Sequence, residues 1–511
     1  MEAKHSRVFL ITFIGILVGM IWPALWNRSP FYFPDTRTYI RSADAPINRL
    51  TKIRTEWTAL DTSKAPTPVV PSKNAMDSAA NDRFHNLSEM TKRGILLGRS
   101  PYYGLLLYVG TLTGGFWLTI LLQSALALLV VYLSVRTFEL PIWPTLPLVA
   151  LGLCAFSDLP FFTSYLMPDL FAGIAIIACG LLIGVSEYRT PSEYGLLLLL
   201  LTAAMLCHDS CLIISLVMLA LAAVDAALRR SFRNWRGIVV ILLAVAFSMV
   251  GQSVVVYGIE RVTHEAPLRL PFLSARLVAD GPGTNFLRAT CPDSRFVLCE
   301  YVSEFPLPHK EFLFGRGSGH SVFDNASYKR REEISKEQSR FVLAVFRYDP
   351  MGVIRSASHN FVQQLTDFGL SDFSYPDDRG MKEFFPEPAG HQMLSSRSYQ
   401  GTLDISIVTR GVYLSAILCC GFLAVVWRGA WGWRQTRNKY RRIVLWVVIG
   451  IVINAAVCGC LSGVDSRYQA RVIWLLPLVC LLCGCHFARS YREVAGFYAE
   501  ANTLDSSSSR S

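Results

Sequence analysis

The sequence predicts an all-α polytopic membrane protein of about ten spans with a mixed extracytoplasmic domain, and three observations carry that expectation. Of 511 residues, 52% are hydrophobic and only 17% charged, against about 25% charged in an ordinary soluble domain. The mean hydropathy is +0.35, and apolar residues gather in runs such as 196–201. A disordered chain, a coiled coil and a disulfide-stapled secreted domain are thereby excluded. The Lys and Arg behind the net charge of +11 stand mostly at the ends of these runs. Nucleic-acid binding needs them clustered on a solvated face, so no nucleic-acid partner is expected.

A bilayer core takes about 20 apolar residues per helix. Ten runs qualify, at 8–25, 102–135, 143–156, 168–185, 194–207, 211–228, 238–257, 405–427, 443–461 and 472–487. The second is longer than one span needs. Polar breaks at Ser157-Asp158-Leu159-Pro160 and His208-Asp209-Ser210 read as tight outer turns. Run 8–25 has the basic start of a signal peptide, but no small-residue cleavage site precedes Trp26-Asn27-Arg28, so it reads as a span.

The positive-inside rule orients the set. With the N-terminus inside, the inner segments hold Lys4 and Arg7, Arg136, Arg189, then Arg229, Arg230, Arg233 and Arg236. They continue with Arg428, Arg434, Arg437, Lys439, Arg441 and Arg442, and end with Arg489 and Arg492. The short outer turns are nearly free of basic residues, with Arg467 and Arg471 as exceptions.

The organisation that follows is a membrane domain at 1–257, with a first outer loop at 27–101, then an extracytoplasmic domain at 258–404. A C-terminal membrane segment at 405–488 and a partly disordered cytoplasmic tail at 489–511 complete it. Both outer segments are too long to be connections alone. In the second, 336–348 and 351–368 carry apolar residues at helical spacing, and Pro and Gly punctuate the rest. Of 13 cysteines most lie in apolar runs, where thiols act as small hydrophobes. Cys291 and Cys299, eight residues apart in the outer domain, form an expected disulfide, two free thiols being the plain alternative.

Polar residues that interrupt the apolar pattern all fall on the outer face. Asp35 follows the first span, with Tyr39 beyond it; Asp158 and Asp169 flank one turn; His208 and Asp209 form another; Asp465, Arg467, Tyr468 and Arg471 occupy the last. Ionisable groups at membrane depth are costly and mark functional sites. Plain readings stand beside this. Asp35 at a span exit, Asp169 at a helix start and His208-Asp209 as a polar turn need no chemistry, and the two Arg can snorkel. The i,i+4 spacing of Arg467 and Arg471 nevertheless puts both guanidinium groups on one helix face, suited to gripping phosphate.

On these residues the chain resembles the GT-C superfamily of polytopic glycosyltransferases, which includes the protein O-mannosyltransferases and the aminoarabinose transferases. Arg99-Ser100-Pro101-Tyr102-Tyr103 is similar to the family's R-x-P-x-Y stretch, and Leu166-Met167-Pro168-Asp169-Leu170-Phe171 to its segment ending in Asp. Asp35 with Tyr39, and Arg467-Tyr468 before the last span, match two outlying pieces. Asp35 lacks the paired acidic neighbour of many relatives, and Gln469-Ala470-Arg471 stands where they often have prolines.

The resemblance implies transfer of a sugar from a polyprenyl-phosphate carrier to an extracytoplasmic acceptor, in a multi-pass plasma membrane of the bacterial inner-membrane kind with a periplasmic active face. Asp35 is then the general base, and Arg467 and Arg471 bind the donor phosphate. Tyr39, Arg99, Asp169, His208, Asp209 and Tyr468 are substrate-binding candidates. No cofactor or metal is expected, because no His, Cys and carboxylate cluster has ligand spacing. A transporter or lipid flippase, or a non-catalytic envelope-assembly protein, is the alternative, although no internal repeat is visible.

Overall fold

The computed structural model describes residues 2–58, 96–113, 115–185, 189–230, 234–264, 266–314, 321–376, 385–428, 438–489 and 491. Much of the first outer loop (59–95), the inner cations Arg233, Arg434, Arg437 and Arg492, and the serine-rich tail lie outside the described residues. Within them the chain is almost wholly helical, and the one sheet is a parallel pair of two-residue strands, β1 (Leu96–Leu97) and β2 (Leu268–Arg269).

The N-terminal run is broken. α1 (Glu2–Gly19) stops, and Pro23 in the first turn of α2 (Trp22–Asn27) restarts the helix where a missing N–H costs nothing. α3 (Pro34–Thr51) follows. The expected span 102–135 is two helices, α4 (Pro101–Leu112) and α5 (Trp117–Thr137). Thr113 Oγ1 bonds the carbonyls of Gly110 and Gly115, a local alternative to helix that apolar content alone does not reveal.

α6 (Ile142–Phe156), α7 (Leu159–Thr163), α8 (Leu170–Gly184), α9 (Pro191–Cys207), α10 (Asp209–Leu228) and α11 (Trp235–Thr263) complete the first half. α8 is buried on every side, as its all-round apolar sequence requires. Its Gly180 and Gly184 let Val447 and Ile443 of α20 (Asn438–Leu461) approach closely, and at Gly184 a Cβ would collide with Ile443. α5, α10, α11, α20, α19 (Ser406–Trp427) and the stretch 466–489 are long and apolar enough to cross a membrane, and α6, α8 and α9 are shorter apolar helices. The last helix begins earlier than the expected 472: Asp465 caps α21 (Ser466–Ile473), and a break at Trp474 precedes helix 475–489. Arg467 and Arg471 therefore sit inside a helix instead of in a turn.

The stretch expected to form the outer domain contains α12 (Phe272–Asp280), α13 (Pro282–Thr290), α14 (His309–Phe314), α15 (Val322–Asn325), α16 (Tyr328–Tyr348), α17 (Pro350–Thr366) and α18 (Ala389–Leu394). α16 and α17 overlap the two expected helical stretches, although α16 begins eight residues before 336 and α17 ends at Thr366. Among its described residues β2 is the only strand, so the mixed character expected of this domain reduces to that pair. A Cys291–Cys299 disulfide closes one loop. The region feeds two cores. Residues from Leu270 to Val345 form their own cluster, whereas Phe368, Leu370, Phe373, Phe385, Met393 and Leu403 join the membrane bundle.

Candidate functional site

Backbone pairing brings the first outer residues to the turn before α8. Phe31 N–H donates to Ser164 O (3.0 Å), Leu166 N–H to Phe31 O (3.0 Å), and Thr36 Oγ1 to Leu166 O (3.0 Å). Gln123, midway along α5, holds the same turn by donating to the Thr163 and Tyr165 carbonyls at 2.9 and 3.0 Å. The start of α3 is thus fixed against the Tyr165–Asp169 turn.

Asp35 occupies the first turn of α3, where the helix dipole favours a carboxylate. Its Oδ2 accepts from Arg99 Nη2 at 2.6 Å, and the two side chains keep 28% and 22% of their surface. The Arg99 guanidinium lies over the buried ring of Tyr39, 5.9 Å from its centroid. Burial, opposed by Arg99, pushes the Tyr39 hydroxyl up, so it remains a phenol. Ser100 caps α4 with its hydroxyl, accepting Tyr102 N–H, and so sets the position of Arg99.

Behind this open pair lies a closed one. Asp169 Oδ1 is 3.4 Å from Arg471 Nη1 and 3.7 Å from Arg467 Nε, with side-chain exposures of 2%, 0% and 6%. Arg467 Nη1 also donates to the Tyr165 hydroxyl (2.9 Å) and pairs with Asp372 (3.4 Å). Arg471 Nη2 donates to Ser210 Oγ (3.0 Å) and Asn454 Oδ1 (3.1 Å), beside Cys458 Sγ (3.2 Å). Tyr468 spreads its ring beneath both guanidinium groups, at 5.4 and 5.2 Å. The i,i+4 spacing does place both Arg on one face, but that face is turned into the protein. Arg471 is sealed, not presented to solvent. The Nε–H of each Arg has no hydrogen-bond acceptor.

His208 caps α10, with Nε2 3.3 Å from Arg471 Nη1 and Nδ1 2.9 Å from Ser210 Oγ. Nδ1 also accepts the Ser210 N–H (3.2 Å), the bond that caps α10. Burial first, then Arg471, Arg99 and Arg467, hold the imidazole well below its ordinary range. Neutral His208 positions Arg471 and is not a proton donor at neutral pH. Asp209 is exposed at the rim, within electrostatic reach of Arg269 and Arg99.

The site therefore unites all nine binding and catalytic candidates of the sequence reading in one region at one end of the bundle. Tyr165, Ser210, Asp372, Asn454 and Cys458 join them without having been expected. Asn454 had a signal, a lone amide inside an apolar run. Asp372 had none, since it lies in an irregular outer segment. Phe373 seats that segment, its ring 4.6 Å from Tyr165 and 5.0 Å from Phe31. Burial pushes the Asp372 carboxyl up against the opposing pull of Arg467, and Asp465 and Asp169 push it the same way.

Asp158 lies near by but apart. It is fully buried, neither oxygen has a hydrogen-bond partner, and burial raises its carboxyl well above the ordinary range. Among the described residues no group of three or more His, Cys, Asp or Glu is arranged to hold a metal ion. No family model matches the chain, and no curated protein or solved structure matches it either.

Proposed function

We propose that the chain is a membrane glycosyltransferase that moves a sugar from a polyprenyl-phosphate carrier to an acceptor outside the cytoplasm. The observation that carries this reading is the pairing of a solvent-reachable Asp35–Arg99 couple with a buried two-arginine core. In its ten-span arrangement α1 with α2, α5, α6, α8, α9, α10, α11, α19, α20 and 466–489 cross the membrane, with both termini inside. The site then opens on the periplasmic face of an inner membrane. α6 and α8, at 15 residues each, are short for this role but are packed among longer neighbours.

Transfer needs a base to take the acceptor hydroxyl proton as its oxygen bonds to the sugar's anomeric carbon. It also needs fixed cations where the carrier phosphate leaves with the bonding electrons. Asp35 is the base: partly exposed and oriented by Arg99. Arg99 and Arg467 meet the phosphate. The Asp372 partner of Arg467, at 24% exposure, can yield its place. Arg471 supports Asp169 and the positive field from behind, which moves it from direct donor contact to positioning. Tyr39, Tyr468 and Asp209 line the approach.

Transport places its charges near the bilayer midplane between repeats. Here they gather at one end of the helices, which favours surface chemistry. Incubating the purified protein with a polyprenyl-phosphate sugar and scoring release of the carrier phosphate tests the reading. No consumption of any such donor moves the transporter and assembly readings ahead.

A further inference from the structure

α17 contributes no residue to the candidate site, yet its place against the bundle is closely fixed. Gly459, two residues before the end of α20, lets it approach: a Cβ there would stand 2.7 Å from Asn360 O and 3.0 Å from Gln364 Cβ. Cys460 Sγ bonds Ala357 O (3.3 Å). The Gln364 amide donates to Asp465 O (2.9 Å) and accepts from Asp465 N–H (3.0 Å). Ala357 and Gln364 lie about 10 Å apart along α17, at 1.5 Å per residue, yet both meet α20 at Gly459 and Cys460. α17 therefore crosses α20 instead of running along it. Because α20 is long and apolar enough to cross a membrane, a helix that crosses its end lies close to the plane of the membrane surface.

Around the axis of α17, at 3.6 residues per turn, three faces separate. Ala357, Asn360 and Gln364 form the face on α20. Met351, Ile354 and Val362 form the second, with 72%, 49% and 57% of their surface exposed. Arg355, His359 and Gln363, also exposed, form the third. The exposed surface is thus divided lengthwise into an apolar flank and a polar one. A helix surrounded by water on every side but one has no reason for that division, whereas a helix at a boundary between hydrocarbon and water does. Leu461, beside Cys460, is exposed at the same level. Tyr348, half exposed just before α17, is of the residue type enriched at membrane interfaces.

We infer that α17 is an interfacial helix whose apolar flank binds the phospholipid leaflet at the end of α20. Met351, Ile354 and Val362 sit among the first acyl carbons, and Arg355 and His359 reach back to the headgroups. This contact requires α20 to span the membrane and requires no transferase activity.

Full-length protein in phosphatidylcholine liposomes, photolysed with a trace of phosphatidylcholine carrying a diazirine on one acyl chain, tests the contact. Adducts are expected on the tryptic peptide 348–355, which holds Met351 and Ile354, as well as on the spans. A diazirine near the start of the chain should label that peptide more than one at the chain end, since an interfacial helix is immersed by only about 5–10 Å. The double variant Met351→Gln, Ile354→Gln should lower these adducts at least about fivefold, with labelling of α19 unchanged, because two apolar side chains no longer favour immersion. Spans labelled without adducts on 348–355 would mean that water, a second copy or another protein covers the flank, and would overturn the inference. Unchanged labelling in the variant overturns it as well. Should the variant not fold, the two diazirine depths on the wild type decide alone.

Discussion

Asp169 and Arg471 stand 302 positions apart in sequence and 3.4 Å apart in space, with 2% and 0% of their side chains exposed. A buried ion pair is stable only when its remaining donors and acceptors are met. Here Ser210, Asn454 and His208 meet most of those of Arg471, and Asp169 also serves Arg467. One carboxylate therefore anchors the turn before α8 to the last helix.

Replacing that carboxylate leaves buried Arg471 uncompensated and Arg467 with Asp372 alone. Asp169→Asn should destabilise the fold by about 3–5 kcal/mol, the cost of breaking a buried pair from one side. Asp158→Asn should stay within about 1 kcal/mol of wild type, because a neutral amide replaces a carboxyl that burial already keeps neutral. Thermal unfolding of the two variants in one detergent makes the comparison, and equal losses contradict it.

Asp372 shares Arg467 with any incoming phosphate. Asp372→Asn should lower the apparent KM for donor several-fold and change kcat less, since it removes a competing anion and no reacting group. A collapse of kcat at unchanged KM would assign Asp372 to proton transfer instead.

The junction of the outer domain with the last turn should be acid-sensitive. His309 Nδ1 lies 3.4 Å from Arg276 Nη1 and the ring packs on Gly463, while Lys310 pairs with Asp465 at 3.1 Å. Burial, then Arg276 and Lys310, lower His309 to about 4, with Asp465 opposing. The unfolded imidazole binds its proton near pH 6.5, so between about 6.5 and 4 the unfolded chain holds more protons. Stability then falls as pH falls through that window. Tm measured at pH 7.5 and 5 should drop more in wild type than in His309→Gln; parallel drops refute the assignment.

Cys291 and Cys299 close a loop of sequence separation 8. By chain entropy that cross-link contributes about 2–3 kcal/mol to the outer domain. Peptide mapping without reduction should recover the linked fragment, and free thiols in the mature protein contradict it.

Polar residues that end apolar runs were enough to select Asp35, Asp169, His208, Arg467 and Arg471, because membrane burial gives such residues few other reasons to be there. Their pairing was not legible. Arg99 opens a family-like stretch, yet nothing in its neighbourhood announces Asp35 as its partner across 64 positions. The spacing of Arg467 and Arg471 fixed a shared face but not its direction. That direction is set by Ser210, Asn454 and Cys458, contributed by two other helices. Helix breaks at Thr113 and Trp474 were hidden because apolar residues continue across them. Asp372 sits in a segment without periodicity, held by one aromatic, Phe373.

The measurement closest to the central claim compares wild type and Asp35→Asn at equal amounts of folded protein, scoring carrier phosphate released from a polyprenyl-phosphate sugar and donor binding. Asparagine keeps the size and a hydrogen bond to Arg99 but cannot accept the acceptor's proton. Turnover should fall about 10²-fold or more while donor binding persists. Full turnover in Asp35→Asn, or no donor consumed by the wild type, would contradict the account.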